Sequence, residues 1–181
     1  MTTTPNFQSI FETHKDRVFN TILSLVQNQH DAEDLTQEVF VRAYEAMSEF
    51  KGESLMSTWL YRIAVNTSLN FLKAKKTKKR AGFLFPIFGN KLDDKPIDLP
   101  DFVHPGVQLE QKERSIRLFK AINELPENQK VAFTLSKIEG LSYTEIAAVM
   151  QVTTPSVESL LFRAKQNLQK SLKAEYMNDD W

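Results

Sequence analysis

Cysteine is absent from the 181 residues, so the chain has neither a disulfide framework nor a thiolate metal site. His14 and His30 pair with no carboxylate or second histidine at ligand spacing, His104 has no visible role, and no metal is expected. No stretch of about 18 apolar residues occurs, which excludes insertion into a membrane as a helix. The opening Met-Thr-Thr-Thr-Pro-Asn lacks the basic start and apolar core of a signal peptide, so the expected location is cytoplasmic. Phosphate-binding P-loops, G-x-S-x-G and H-E-x-x-H are missing as well, leaving no catalytic residue and no cofactor to expect. Net charge is zero, which argues against a protein that coats DNA uniformly.

Glycine and proline are scarce outside residues 82–106, and the remainder reads as helix. Phe7, Ile10, Phe11, His14, Val18, Phe19, Ile22, Leu25 and Val26 recur at helical spacing. They give a long first helix that follows frayed residues 1–5 and ends near Gln27–His30. A second helix is predicted over 31–50, with Leu35, Val39, Ala43, Ala46, Met47 and Phe50 on its apolar side. That stretch carries six carboxylates and one cation, Arg42. Its acidic side is either plain solvated surface or a docking face for a basic partner.

Lys51-Gly-Glu interrupts the pattern, and Ser54 or Ser57 is placed to cap a third helix. Leu60, Ala64, Thr67 and Phe71 form its apolar stripe, with Tyr61, Val65, Ser68 and Leu72 alongside. Trp59, Arg62, Asn66, Asn70 and Lys73 occupy the remaining arc. Aromatics stack on unpaired bases, carboxamides read base edges and cations neutralise phosphates, so this arc suits nucleic acid. Six cations in the eight residues Lys73–Arg80, among them Lys75 and Lys76, strengthen that reading. Residues 81–108 then read as an acidic, proline-punctuated flexible linker. Its apolar piece Gly82–Phe88 either packs back on a domain or meets a partner.

Periodicity returns at about Leu109, where Ile116, Leu118, Phe119 and Ile122 lead to Leu125-Pro126. Glu127–Ile138 is a second helix with Val131, Ala132, Leu135 and Ile138 inward, closed by Glu139-Gly140. Ser142 and Glu145 have capping-box spacing, and Leu141 can staple onto Ile146. After a turn at Gln151–Thr153, Thr154 is the expected cap and Pro155 the first residue of a last helix. Small Ala147 lets the two helices approach, giving a helix-turn-helix. Val157, Leu161, Ala164 and Leu168 should be buried, leaving Ser156, Glu158, Ser159, Phe162, Arg163, Lys165 and Gln166 outside. Residues 174–181 read as a loose tail.

Three strings in the first half, Asp31-Ala-Glu-Asp-Leu-Thr-Gln-Glu-Val-Phe40, Phe50-Lys-Gly-Glu and Trp59-Leu-Tyr-Arg-Ile-Ala-Val-Asn66, resemble region 2 of the extracytoplasmic-function subgroup of bacterial sigma-70 factors. Leu125-Pro126, Gly140-Leu-Ser-Tyr-Thr-Glu-Ile-Ala147 and Ser156-Val-Glu-Ser-Leu-Leu-Phe-Arg-Ala-Lys165 resemble region 4. The resemblance implies an all-α chain of two small helical domains: region 2 over 6–80 and region 4 over 109–173. It implies an RNA polymerase sigma factor, not an enzyme, that starts transcription at specific promoters. Its partners would be the polymerase core (β′ clamp helices and β flap), promoter DNA and an anti-sigma factor.

Carried over by position, Asp34, Gln37 and Glu38 match core-docking positions. Phe50, Lys51, Ser54, Ser57, Trp59, Arg62, Asn66, Asn70, Lys73, Lys75 and Lys76 fall where the family meets the −10 element. Thr154, Ser156, Glu158, Ser159, Phe162, Arg163 and Lys165 fall on the −35-reading helix. Val65, Asn70, Glu158 and Leu160 depart from the commoner arginine, aspartate or basic residues, so promoter contacts are not transferable from a relative. The competing reading is a stand-alone helix-turn-helix regulator, which would bind its operator without polymerase.

Overall fold

Breaker-poor, amphipathic sequence produces helix over most of the described residues. The computed structural model describes residues 6–50, 52, 54–84 and 112–178, and among these it contains seven α-helices and no strand. The first three are α1 (Phe7–Val26), α2 (Gln29–Glu45) and α3 (Met56–Leu84). The second group is α4 (Lys112–Glu124), α5 (Glu127–Phe133), α6 (Tyr143–Met150) and α7 (Thr154–Asn178). Residues 1–5, Lys51, Glu53, most of the apolar Gly82–Phe88 piece and His104 lie outside the described residues.

In the N-terminal unit α1, α2 and α3 pack pairwise around Ile10, Val18, Ile22, Leu35, Val39 and Leu60. Asn6 caps α1 by accepting from Gln8 N, and Asn28 caps α2 by accepting from Asp31 N at 2.9 Å. Helix α2 therefore begins two residues before the predicted Asp31 and ends at Glu45, followed by a 3₁₀ turn at Met47–Glu49. The tighter turn swings Phe50 toward Trp59, and their rings meet at 5.1 Å. Helix α3 has its first backbone bond from Trp59 N to the Leu55 carbonyl, so Leu55 occupies the cap position given above to Ser54 or Ser57. It also continues through residues 81–84, assigned to the linker from sequence. One glycine costs a helix only about 1 kcal/mol, which Gly82 evidently does not make decisive.

In the C-terminal unit Val131, Ala132, Leu135, Ile146, Val157 and Leu161 are buried together, and α4 packs on α7 through Phe119, Ile122, Ala164 and Leu168. Leu118, counted among the periodic apolar residues of this helix, is exposed. The helix expected over Glu127–Ile138 changes at Thr134 into a π turn, Thr134–Ile138, with Glu139 N bonded to the Thr134 carbonyl. Gly140 adopts φ +71°, the left-handed geometry that ends it. Ser142 and Glu145 form the full capping box: Ser142 N donates to the carboxylate at 2.8 Å and Glu145 N to the hydroxyl at 3.3 Å. The cap of α7 is one residue earlier than expected. Thr153, not Thr154, accepts from Ser156 N at 3.4 Å, which places Pro155 second in the helix. Helix α7 includes residues 174–178 of the predicted tail.

The two units touch. Thr21, Ile22, Leu23, Ser24 and Leu25 are all buried, more of a helix circumference than a three-helix unit covers by itself. The second unit supplies the cover: Leu25, Tyr61 and Val65 share one apolar cluster with Val131, Leu135, Ile146 and Val149.

Candidate polymerase and nucleic-acid interfaces

The burial of Leu35, Val39 and Ala43 turns the opposite side of α2 to solvent. Asp34, Gln37 and Glu38 are exposed there, together with Val41 at 56% and Tyr44 at 66% exposure. Glu38 accepts from Arg42 at 2.6 Å one turn on; His30, expected to have no carboxylate partner, instead lies 3.9 Å from Asp34, because residues four apart share a helix face. Exposed pairs at this spacing contribute about 0.3–0.5 kcal/mol, so Glu38 can exchange Arg42 for an incoming cation at little cost. An acidic row flanked by uncovered apolar side chains suits a basic partner with an apolar component.

Beside this face lies a cleft of about 450 Å³ between α2 and α3, lined by Arg42, Glu45, Glu49, Trp59, Asn66 and Thr67 among others. Trp59 packs partly on the core and partly on Phe50, leaving aromatic surface at the cleft wall. An indole face, a carboxamide and charged hydrogen-bonding groups around a space of this size can accept a planar base by stacking and edge contacts. Sequence spacing does not single out Arg42, Glu45, Glu49 and Thr67 as base contacts. Only the tertiary approach of α2 to α3 brings them to Trp59.

The predicted arc of α3 divides. Asn66 and Asn70 are exposed and Trp59 borders the cleft, but Arg62 turns the other way. Its guanidinium donates to the Ala148 carbonyl of α6 at 2.7 Å, and its Nε is buried without a protein partner. Lys73 pairs with Glu127 of α5 at 3.2 Å, and Lys75 with Asp31 of α2 at 2.8 Å. Lys76 is exposed, and Ser54 and Ser57 are half-buried beside the loop. Lys51 lies outside the described residues.

On α7, Val157, Leu161, Ala164 and Leu168 face inward, and Ser156, Glu158, Ser159, Arg163 and Lys165 face solvent. Phe162 is 64% exposed amid them, and Thr154 is half-buried. A phenylalanine left in water beside Arg163 on the second helix of a helix-turn-helix offers a thymine methyl an apolar contact and a guanine or phosphate a cation. Each helical unit thus presents a distinct nucleic-acid-compatible face.

Comparison with known proteins follows this division. Residues 10–78 match the family model for sigma-70 region 2, and residues 115–168 match that for sigma-70 region 4. The RNA polymerase sigma-H factor of Pseudomonas aeruginosa is 32% identical over 92% of this chain and 86% of its own length. The chain belongs to the sigma-70 family. Similarity to the ECF RNA polymerase sigma-E factor of Escherichia coli K12, 36% identical over 79% of this chain and 74% of the relative, places it in the extracytoplasmic-function subgroup. It is therefore an RNA polymerase sigma factor, a DNA-binding initiation factor.

Solved structures agree at the level of fold. The sigma factor RpoE, in complex with the anti-sigma factor NepR from Bartonella quintana, superposes with a TM-score of 0.69 at 23% identity over 92% of this chain and 96% of its own. CnrH, in complex with the cytosolic domain of CnrY, gives 0.65 at 20% identity over 94% and 91%. Both halves of this sigma factor are matched by family models, and nothing favours the stand-alone regulator suggested by the helix-turn-helix taken alone.

Proposed function

We propose that the work of initiation is divided between three surfaces of this sigma factor. The exposed row Asp34, Gln37 and Glu38 anchors the protein on the β′ clamp helices of core polymerase. Helix α7 reads the −35 element through Ser156, Glu158, Ser159, Phe162, Arg163 and Lys165, with Thr154 at its entry. The loop at Phe50–Ser57, the α2–α3 cleft and the arc Trp59, Arg62, Asn66 and Asn70 hold the melted −10 strand, with Lys51, Lys73, Lys75 and Lys76 near its phosphates. Unstacking a base costs a few kcal/mol, and stacking on an aromatic returns about 1–3 kcal/mol per base. Binding energy thus drives melting, and the chain needs neither a catalytic residue nor a cofactor. An anti-sigma factor is a further expected partner, because the structurally similar sigma factor RpoE was solved in complex with the anti-sigma factor NepR.

The observation that carries this reading is the cleft itself: aromatic Trp59 and the amide Asn66 share one wall-lined space next to the acidic docking face. The test is permanganate footprinting of thymines on a promoter bound by core polymerase and this protein. Trp59→Ala should cut −10 reactivity at least tenfold while gel-filtration co-elution with core persists. Gln37→Ala/Glu38→Ala should abolish co-elution instead. Undiminished thymine reactivity in Trp59→Ala would remove the cleft from the mechanism.

A further inference from the structure

The exposed side of α7 carries charge of both signs. With Val157 and Leu161 inward, a helix of 3.6 residues per turn puts Arg163 and Lys170 on one flank of that side and Glu158 on the other, and all three are exposed. Local structure does not account for the carboxylate. The residues three and four positions from Glu158 are Thr154, Pro155, Leu161 and Phe162, none of them a cation. Among the described residues Glu158 enters no ion pair and no hydrogen bond. It also lies beyond the first turn of α7, which holds no acidic residue, so the helix dipole does little to stabilise it. Ser156, by contrast, is engaged, its hydroxyl paired with that of Thr153 at 2.8 Å within the cap. Glu158, Ser159 and Phe162 are left uncommitted near the start of the helix, where a recognition helix meets base edges.

A carboxylate only accepts hydrogen bonds, and that restricts what it can meet in a major groove. Phosphates repel it. Guanine turns N7 and O6 to the groove and thymine turns O4, all of them acceptors. Adenine offers an N6 donor with the N7 acceptor beside it, whereas cytosine offers its N4 donor with no acceptor next to it on the same base. Carried into the groove alongside Phe162, Glu158 therefore weakens binding to three bases and gains a charge-assisted bond from the fourth. Glu158 and Phe162 are one turn apart. Four residues of helix rise are about 6 Å, under two base steps of about 3.4 Å, so the bases they meet lie within two pairs of each other.

We propose that Glu158 is a specificity residue for the −35 element: its carboxylate accepts from N4 of one cytosine, on either strand, within two pairs of the thymine that covers Phe162, and disfavours the other bases there. The inference rests on the functional reading above, in which α7 enters the major groove of the −35 element. It gives the two flanks of the helix opposed roles. Arg163 and Lys170 attract the phosphates of any sequence. Glu158 weakens binding to most sequences and thereby sharpens the choice among them. Ser159, whose hydroxyl both donates and accepts, discriminates less between bases.

Holoenzyme assembled from core polymerase and the full-length protein tests this on a promoter it transcribes, randomised across the −35 element, with bound fragments recovered and sequenced. The wild type should select cytosine at one position by about fivefold or more over each other base, within two pairs of a selected thymine. Glu158→Gln should move that position to adenine, because a carboxamide pairs with N6 and N7 together, and Glu158→Ala should leave it without preference. The other selected positions should keep their bases in both variants. Phe162→Ala should lose the thymine and retain the cytosine. A −35 element selected by the wild type without such a cytosine would overturn the proposal. Unchanged base preferences in Glu158→Ala would do the same, and tighter binding to every fragment alike would show that the carboxylate acts only on phosphates. Selection of no −35 base at all by the wild type would count against the functional reading itself, and the proposal would fall with it.

Discussion

Lys130 shows how a single side chain can be retained at a cost. It is 5% exposed, bonds Asn123 at 2.6 Å, and burial, with help from Lys76, lowers its pKa to about 8. Holding a lysine that far below its ordinary 10.5 costs about 3 kcal/mol at neutral pH. Lys130→Met should therefore raise the urea midpoint at pH 7, by a stability gain on the order of 1–3 kcal/mol. The sign also fixes the pH dependence. Between about pH 8 and 10.5 the unfolded chain binds the extra proton, so the wild type gains stability as pH rises and its deficit against the variant narrows. A deficit that is constant across this window would show that Lys130 is not held off its ordinary titration. Ser142 is the opposite kind of residue, since it serves only its helix. Ser142→Ala should cost about 1 kcal/mol in thermal denaturation through loss of the capping box.

At the scale of elements, α7 separates stability from recognition. Its inward residues hold the unit together, whereas Phe162 touches solvent over most of its surface. Phe162→Ala should leave the melting temperature within about 2 °C of wild type, since exposed substitutions stay within about 0.5 kcal/mol, while weakening −35 duplex binding by holoenzyme at least tenfold. An equal loss of stability and binding would mean that Phe162 packs rather than reads. Most of this element was legible in the sequence, because Val157, Leu161, Ala164 and Leu168 obey one helical period and the Ser142–Glu145 spacing has a single local meaning. Boundaries were less legible where chemically similar residues adjoin. Thr153 and Thr154 are equivalent caps on paper, and only the turn geometry selects the first. The π turn at Thr134–Ile138 carries no sequence sign, since its apolar spacing is that of an ordinary helix. In α3 the arc of Trp59, Arg62, Asn66 and Lys73 forms one face by periodicity, which sees only the helix itself. Its division between a cleft and a seam is set by α2 on one side and α5–α6 on the other.

Across the whole molecule the unforeseen feature is the contact between the two units, since no local pattern reports that Gln27 will meet Phe119 across 92 positions. It carries a titrating group of its own. Burial raises the Glu139 pKa, against the opposing pull of Thr21, Tyr61 and Arg17. Protonated Glu139 is therefore favoured in the folded chain, and stability falls as pH climbs from the ordinary carboxyl range through the raised value. The urea midpoint should fall across that interval in wild type and change less in Glu139→Gln.

The central claim is that the acidic face of α2 joins this chain to polymerase so that the two DNA faces act together. Run-off transcription from pooled promoter fragments with purified core tests it most directly. The wild type should yield discrete transcripts, and Gln37→Ala/Glu38→Ala should reduce them by at least tenfold while remaining folded. Transcripts from the double variant at wild-type levels would contradict the assignment of that face. Tight binding of the free protein to one duplex site, with no transcript at all, would contradict the account as a whole.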